Sequence, residues 1–282
     1  MATKALQKAE VAYDPTVALD FFKSAGKAES FADGTKIFAE SERAIPLLRK
    51  SKMYLLLKGE VELRAKKKAI GTVKPGEIFG EIAVIAHAPR SAGAVAKGEC
   101  RVIALEPDEF EAALASKPAF AMMLMSMLIR RLRETIAQLS VSGAISHIED
   151  FDEAIVFDKK QLQELITGLA DDPPIFFQQG AQIIQKGQTG IRMYAVVEGE
   201  VAVSIDGRIV EILGPGGVFG EAALVSESAR LASATAQSDC ELLAIGRPAF
   251  LQLVKVSPQF ASTLLSSLAA RLRFLTSHLN PS

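Results

Sequence analysis

Phe79-Gly80-Glu81-Ile82-Ala83-Val84-Ile85-Ala86-His87-Ala88-Pro89-Arg90-Ser91-Ala92 is the stretch on which the reading of this chain turns, because its skeleton returns 140 residues later. There Phe219-Gly220-Glu221-Ala222-Ala223 is again followed by an arginine, Arg230, nine positions past the glutamate. The same offset pairs Met53-Tyr54 with Met193-Tyr194, Gly59-Glu60-Val61 with Gly199-Glu200-Val201, Pro75-Gly76 with Pro215-Gly216, Cys100 with Cys240 and Arg131-Leu132-Arg133 with Arg271-Leu272-Arg273. Correspondence over such a length means two copies of one domain. A chain of 282 residues is long enough to fill two cores of roughly 100 to 150 residues each. We place the first copy with its helices at 1–139, a connector at 140–164 and the second copy at 165–282.

Each copy is expected to open as strands and end as helix. Met53–Leu63 and Met193–Val203 combine apolar runs, partial alternation and a glycine turn, which is strand patterning. Asp206-Gly207 between apolar segments predicts a tight hairpin, since both residues tolerate positive φ. The first copy carries three consecutive lysines within Ala65–Ala69 instead, read as a solvated loop. After Pro118, residues Met125, Ile129, Leu132, Ile136 and Leu139 recur at helical spacing; after Pro258, Leu264, Leu268, Leu272, Leu275 and Leu279 do the same. A further helix is expected over Lys159–Ile166. Short strands punctuated by Gly and Pro describe a barrel or jelly roll, and the fold expected is mainly β with helices: two tandem double-stranded β-helix (jelly-roll) barrels, each closed by C-terminal helices whose apolar stripe must bury against its own barrel, the neighbouring repeat or another chain.

The repeated element has its own chemistry. A phosphate held away from bulk water needs a guanidinium or several amides, because an unpaired buried charge is very costly; Arg90 and Arg230 suit that role. Gly80 and Gly220 let backbone come close to a ligand, and a short helix starting there adds its amide dipoles. Glu81 and Glu221 cannot help a phosphate but can accept hydrogen bonds from sugar hydroxyls. Together these residues specify a sugar joined to a phosphate. The candidate binding set is Gly80, Glu81, Ile82, Ala83, Arg90, Ser91 and Ala92 in the first copy, and Gly220, Glu221, Ala222, Ala223, Arg230 and Ala232 in the second.

The element resembles the phosphate-binding cassette of the cyclic-nucleotide-binding domain family, shared by kinase regulatory domains, gated channels and bacterial catabolite-activator-like regulators. The resemblance covers roughly residues 28–139 and 165–280. It implies a non-enzymatic receptor for a 3',5'-cyclic purine nucleotide, cyclic AMP ahead of cyclic GMP, with the Glu on the ribose 2'-hydroxyl and the Arg on the cyclic phosphate. The first copy keeps the small hydroxylated Ser91 after its Arg, where the second has bulky Leu231, so the two are expected to be unequal. The alternative is a scaffold in which both cassettes have lost their ligand. Signalling is expected through helix movement, with Pro118–Leu139 docking over Glu81–Ala92 when the pocket is occupied, onto a separate protein effector or a second copy as a homodimer.

Other classes find little support. A formal charge of -1 supplies no field for polyanions, so nucleic-acid binding is not expected. The longest nearly apolar stretch, Ala119–Ile129, is far short of the ~20 residues that cross a bilayer, and Met1–Leu6 does not open a secretory signal. The setting expected is the cytoplasm, with Cys100 and Cys240 as reduced, buried strand residues. His87 lacks a local carboxylate partner or nucleophile, so no catalytic residue is assigned, and no ligand cluster points to a metal or other cofactor. Where family regulators carry a DNA-reading module this chain has a second copy, and Met1–Glu29 holds no paired-Arg pseudosubstrate. Transcription-factor function and kinase inhibition are therefore not expected. Finally, Gly34 precedes Met53 by 19 positions whereas Gly180 precedes Met193 by 13. The excess, read over Ser41–Lys52, brings Arg43, Arg49, Lys50 and Lys52, a solvated excursion or a partner-binding loop.

Overall fold

Strands β1 (Lys27–Phe31), β2 (Lys36–Phe38), β3 (Met53–Ala65), β4 (Lys68–Val73), β5 (Ile78–Phe79) and β6 (Gly93–Leu105) build the first repeat. The computed structural model describes residues 13–43, 51–65, 68–148, 151, 157–169, 172–226 and 228–279. Helix α1 (Pro15–Ala25) precedes the strands, α2 (Glu81–Ile85) joins β5 to β6, and α3 (Pro107–Leu114) and α4 (Pro118–Ser142) follow. The second repeat opens with α5 (Lys159–Gly168). It continues through β7 (Ile175–Phe177), β8 (Gln182–Ile184), β9 (Arg192–Glu198), β10 (Val201–Ile205), β11 (Arg208–Leu213) and β12 (Val218–Phe219). Then come α6 (Glu221–Ser226), β13 (Ser233–Ala236), β14 (Cys240–Gly246), α7 (Arg247–Val256) and α8 (Pro258–Leu279).

Local chemistry sets these boundaries. Prolines occupy the first position of α4 and α8, where a missing N–H costs nothing. Asp158 caps α5 by accepting the Gln161 N–H, and the Gln161 side chain answers on the Asp158 N–H, a reciprocal capping box. Asp206 and Gly207 take φ of 51° and 83° between β10 and β11, as the hairpin requires. Lys66 and Lys67 lie outside the described residues, and Lys68 already belongs to β4.

The expectation of closed jelly-roll barrels is corrected. In the first repeat every ladder is antiparallel and joins one six-stranded sheet, ordered β1-β6-β3-β4, with β2 added on β6 and β5 on β3. The second repeat forms two four-stranded sheets, β11-β10-β13-β8 and β12-β9-β14-β7. A barrel requires the outer strands of one sheet to pair with each other; among the described residues β1 and β4, β11 and β8, and β12 and β7 end their sheets, so none closes. In the second repeat, Gly199 at φ 82° ends the run of β9 and sends β10 into the other sheet.

The long closing helices are divided along their length. The chain forms two compact units, Tyr13–Met123 with Ser257–Arg273, and Leu124–Val256 with Phe274 onward. Each of α4 and α8 therefore divides between the units, and neither repeat is completed solely by the helix that follows it. In the first unit, Phe38, Tyr54 and Phe79 stack over a core including Val61, Val102 and Cys100. Phe21 of α1 stacks on Phe120 at the start of α4, 3.5 Å between ring centres. In the second unit, Ile184, Val196, Leu213, Phe219 and Leu242 form the corresponding core, with Tyr194 stacked on Phe219. Tyr54 is thus buried in its core and Tyr194 packs against the other.

Candidate functional site

Each cassette begins at a glycine that only a glycine can fill. Gly80 and Gly220 adopt left-handed φ of 75° and 84°, and a Cβ there would lie 2.7 Å from Arg90 Nη1 or 2.6 Å from Arg230 Nη1. The missing Cβ thus leaves room for the arginine to come up against this backbone. Glu81 and Glu221 then open the short helices α2 and α6, with 2% and 5% exposure.

The arginines return over the same glycines. Arg90 Nη1 donates to the Gly80 carbonyl (2.7 Å) and Nη2 to the Lys52 carbonyl (2.6 Å). Arg230 does the same with the carbonyls of Gly220 (2.7 Å) and Arg192 (2.6 Å). Two arginines, 4% and 9% exposed as whole residues, thus have their guanidiniums aimed by one repeated pair of backbone acceptors. Burial pushes the Arg230 pKa down; Tyr194 and Glu221 act in the opposite sense. Each guanidinium is held by its carbonyls in one orientation, and the hydrogen bonds it can give an anion are of the strong charge-assisted kind.

The surroundings of the two arginines differ. The Phe38 ring lies on Arg90, 4.0 Å from Cζ to the ring centre, a cation–π contact. Against Arg230 stands a cavity of about 220 Å³, lined by Ile183, Ile184, Gln185, Gln188, Thr189, Gly190, Ile191, Arg192 and Tyr194. Gly190 sits so close that any Cβ would overlap Arg230 Nε, Cζ and Nη2. Sequence reasoning missed Phe38, Gly190 and the two carbonyl acceptors. Only Gly190 left a signal, a glycine in the compact Lys186–Gly190 turn.

The remaining candidates are placed around this frame. Ala83, Ala222 and Ala223 are buried in the short helices and Ile82 is half-buried. Ser91 is exposed, and Ala92, Leu231 and Ala232 are half-buried. Arg90 N–H donates to the Glu42 carbonyl and accepts, on its own carbonyl, the Ser41 N–H (2.9 Å each); Arg230 does so with Gln188 (2.9 Å) and Gly187 (3.0 Å). Ser41 and Glu42 therefore have counterparts in the second copy, and the extra residues fall between Glu42 and Lys52, with Arg49 and Lys50 outside the described residues. His87 is exposed, with Nε2 3.9 Å from Glu111. No group of three or more His, Cys, Asp or Glu able to hold a metal occurs among the described residues.

A long helix touches each cassette. It is α8 that reaches α2, with Ser266 Oγ donating to the Ile85 carbonyl at 2.9 Å, while Arg133 Nη2 of α4 hydrogen-bonds Ser228 in the second cassette.

Comparisons with known proteins agree with this repeated frame. The cAMP-dependent protein kinase regulatory subunit of Schizosaccharomyces pombe is 31% identical over 187 residues, 66% of this chain and 40% of the relative. The cyclic AMP receptor protein of Thermus thermophilus is 40% identical over 102 residues, 34% of this chain and 47% of the relative. The chain thus spans less than half the length of these curated relatives. A crystal structure of the catabolite activator protein from Thermus thermophilus shares 35% identity across 43% of this chain and 59% of that one, with a TM-score of 0.37. The cyclic nucleotide-binding domain pattern matches residues 28–117 and again residues 174–257. Both copies carry it, and the chain belongs to the cyclic nucleotide-binding domain family.

Proposed function

We propose that this chain is a non-enzymatic regulatory receptor for a 3',5'-cyclic purine nucleotide, cyclic AMP in preference to cyclic GMP. The observation that carries the reading is the buried Glu and Arg pair, built twice with the arginine tied to the same two carbonyls. In this reading Arg90 and Arg230 neutralise the cyclic phosphate. Glu81 and Glu221 accept from the ribose 2'-hydroxyl, and the neighbouring small residues leave space for the sugar. The matched relatives are named as cyclic AMP receptors and cAMP-dependent regulatory subunits, which supports the choice of ligand. Output passes to a separate protein effector or to a second copy of the chain, in the cytoplasm. Among the described residues no single helix is long and apolar enough to cross a membrane.

The first repeat offers Ser91 beside its arginine, and the second offers the cavity against Arg230. One observation favours the scaffold alternative at the first repeat: the Phe38 face covers Arg90. Calorimetric titration with cyclic AMP, cyclic GMP and a cyclic dinucleotide decides between them. Cyclic AMP is expected to bind most tightly, and absence of heat with all three at millimolar concentration overturns the receptor reading.

Glu81 gives a sharper test. A hydrogen bond to a charged group contributes about 1.5–3 kcal/mol, so the protein is expected to prefer cyclic AMP over its 2'-deoxy analogue by roughly tenfold or more. Glu81→Ala should bring the two ligands to within about twofold at the first repeat, because the site no longer discriminates a hydroxyl it cannot bond. Undiminished discrimination would remove Glu81 from the ribose.

A further inference from the structure

The two cassette helices are finished in different ways. In the last turn of α2 the carbonyls of Ile82, Ala83 and Val84 accept from the N–H groups of Ala86, Ala88 and His87, leaving Ile85 as the next acceptor that the local chain does not reach. Ser266 of α8 fills that place from 181 positions away. Around the bond, Val84, Ile85, Pro107 and Phe110 meet Ser262 and Ser266 across a void of only about 10 Å³, the lower limit for one water. The serine is therefore seated directly on the cassette.

In the second repeat the corresponding helix is tethered from within its own repeat. Arg247 Nη1, at the start of α7, donates to the Leu224 carbonyl of α6 at 2.5 Å. The matching position in the first repeat is Pro107, which has no side-chain donor. Ser126 stands eight residues after Pro118 just as Ser266 stands eight after Pro258. Its hydroxyl is buried, 8% exposed, and has no hydrogen-bond partner among the described residues. The repeat thus keeps the serine in both long helices and uses it as a cassette tether in one.

We propose that Ser266 is a positioning residue for the nucleotide cassette of the first repeat, so that ligand binding there and the seating of α8 on α2 are a single linked equilibrium. This rests on the receptor reading. Arg90 pins both ends of the cassette by bonding the Gly80 carbonyl from ten residues away, and Ser266 holds the helix between them. A ligand that draws Glu81 and Arg90 onto one sugar phosphate acts on α2, and the serine carries that to residues 258–273. Linkage is reciprocal, so loosening α8 weakens the ligand.

The test uses the full chain with Arg230→Ala as parent, so that only the first repeat reports, and cyclic AMP as probe. Adding Ser266→Ala is expected to weaken binding about fivefold, the scale of one neutral hydrogen bond. It should also abolish cyclic AMP-dependent hydrogen-exchange protection over 258–273 while leaving that over 81–92. Ser266→Thr, which keeps the hydroxyl, should restore both, and Ser126→Ala should change neither. A Ser266→Ala chain with the parent's affinity and the parent's protection in α8 overturns the proposal. A parent that binds no cyclic nucleotide removes this proposal and the receptor reading together.

Discussion

Replacing Arg90 with alanine is expected to weaken cyclic AMP binding at the first repeat by about a hundredfold or more and to lower the stability of the ligand-free protein as well. The loss of affinity follows from removing charge-assisted hydrogen bonds to a phosphate at a site where Arg90 as a residue is 4% exposed; a hundredfold corresponds to about 2.7 kcal/mol. The stability effect comes from the two anchors. The Gly80 and Lys52 carbonyls both accept from Arg90, and a buried acceptor stripped of its donor costs about 1–3 kcal/mol. Arg90→Lys separates the two terms, since an ammonium keeps the charge but cannot bridge both carbonyls with a planar fork. Calorimetry and thermal melting of the three proteins provide the measurement. Unchanged affinity in Arg90→Ala would take the phosphate away from this residue, and an unchanged melting temperature would show that the carbonyl anchors carry no weight.

Gly190→Ala should have an effect of similar size in the second repeat. An arginine crowded by a new methyl group ordinarily swings aside, but Arg230 has both terminal nitrogens tied to carbonyls and its backbone paired with Gly187 and Gln188. A Cβ at Gly190 overlaps the guanidinium itself, so either the arginine leaves its anchors or the turn gives way. Overpacking of this kind costs about 1–3 kcal/mol. Ligand binding against the 220 Å³ cavity should fall by more than about tenfold, with the first repeat unaffected. Gly214→Ala, where a Cβ meets nothing within 4 Å, serves as the neutral control. A Gly190→Ala protein that melts and binds like the parent would show that the turn yields at little cost.

The features legible in the sequence are those that local chemistry decides. Pro118 and Pro258 start helices, Asp206-Gly207 turns a hairpin, and the Gly-Glu and Arg landmarks recur in one geometry in both copies. Other features had no residue signature. Lys52 and Arg192 serve the cassettes through their carbonyls, which every residue possesses. The apolar stripes of α4 and α8 are alike, so periodicity shows that each must be covered and not by what. Barrel closure was inferred from strand number and turn spacing, whereas closure depends on whether edge strands pair, a long-range property. Phe38 over Arg90 and Ile184 beside Arg230 sit six positions out of step with the 140-residue repeat, which hid their equivalence.

The division of α8 between the units bears on how this chain is made. Residues Ser257–Arg273 belong to the unit otherwise formed by Tyr13–Met123, yet they leave the ribosome only after residues 124–256 have done so. Domains emerging from the ribosome usually fold in order, N-terminal first. Here the first unit must wait for more than 130 intervening residues, its α2 exposing the Ile85 carbonyl to water until Ser266 arrives. A fragment ended at residue 139 would remain in that unfinished condition. Nascent chains with residue 256 or with residue 273 just clear of the ribosome should therefore differ in protease resistance within the first repeat, although its own strands are complete in both.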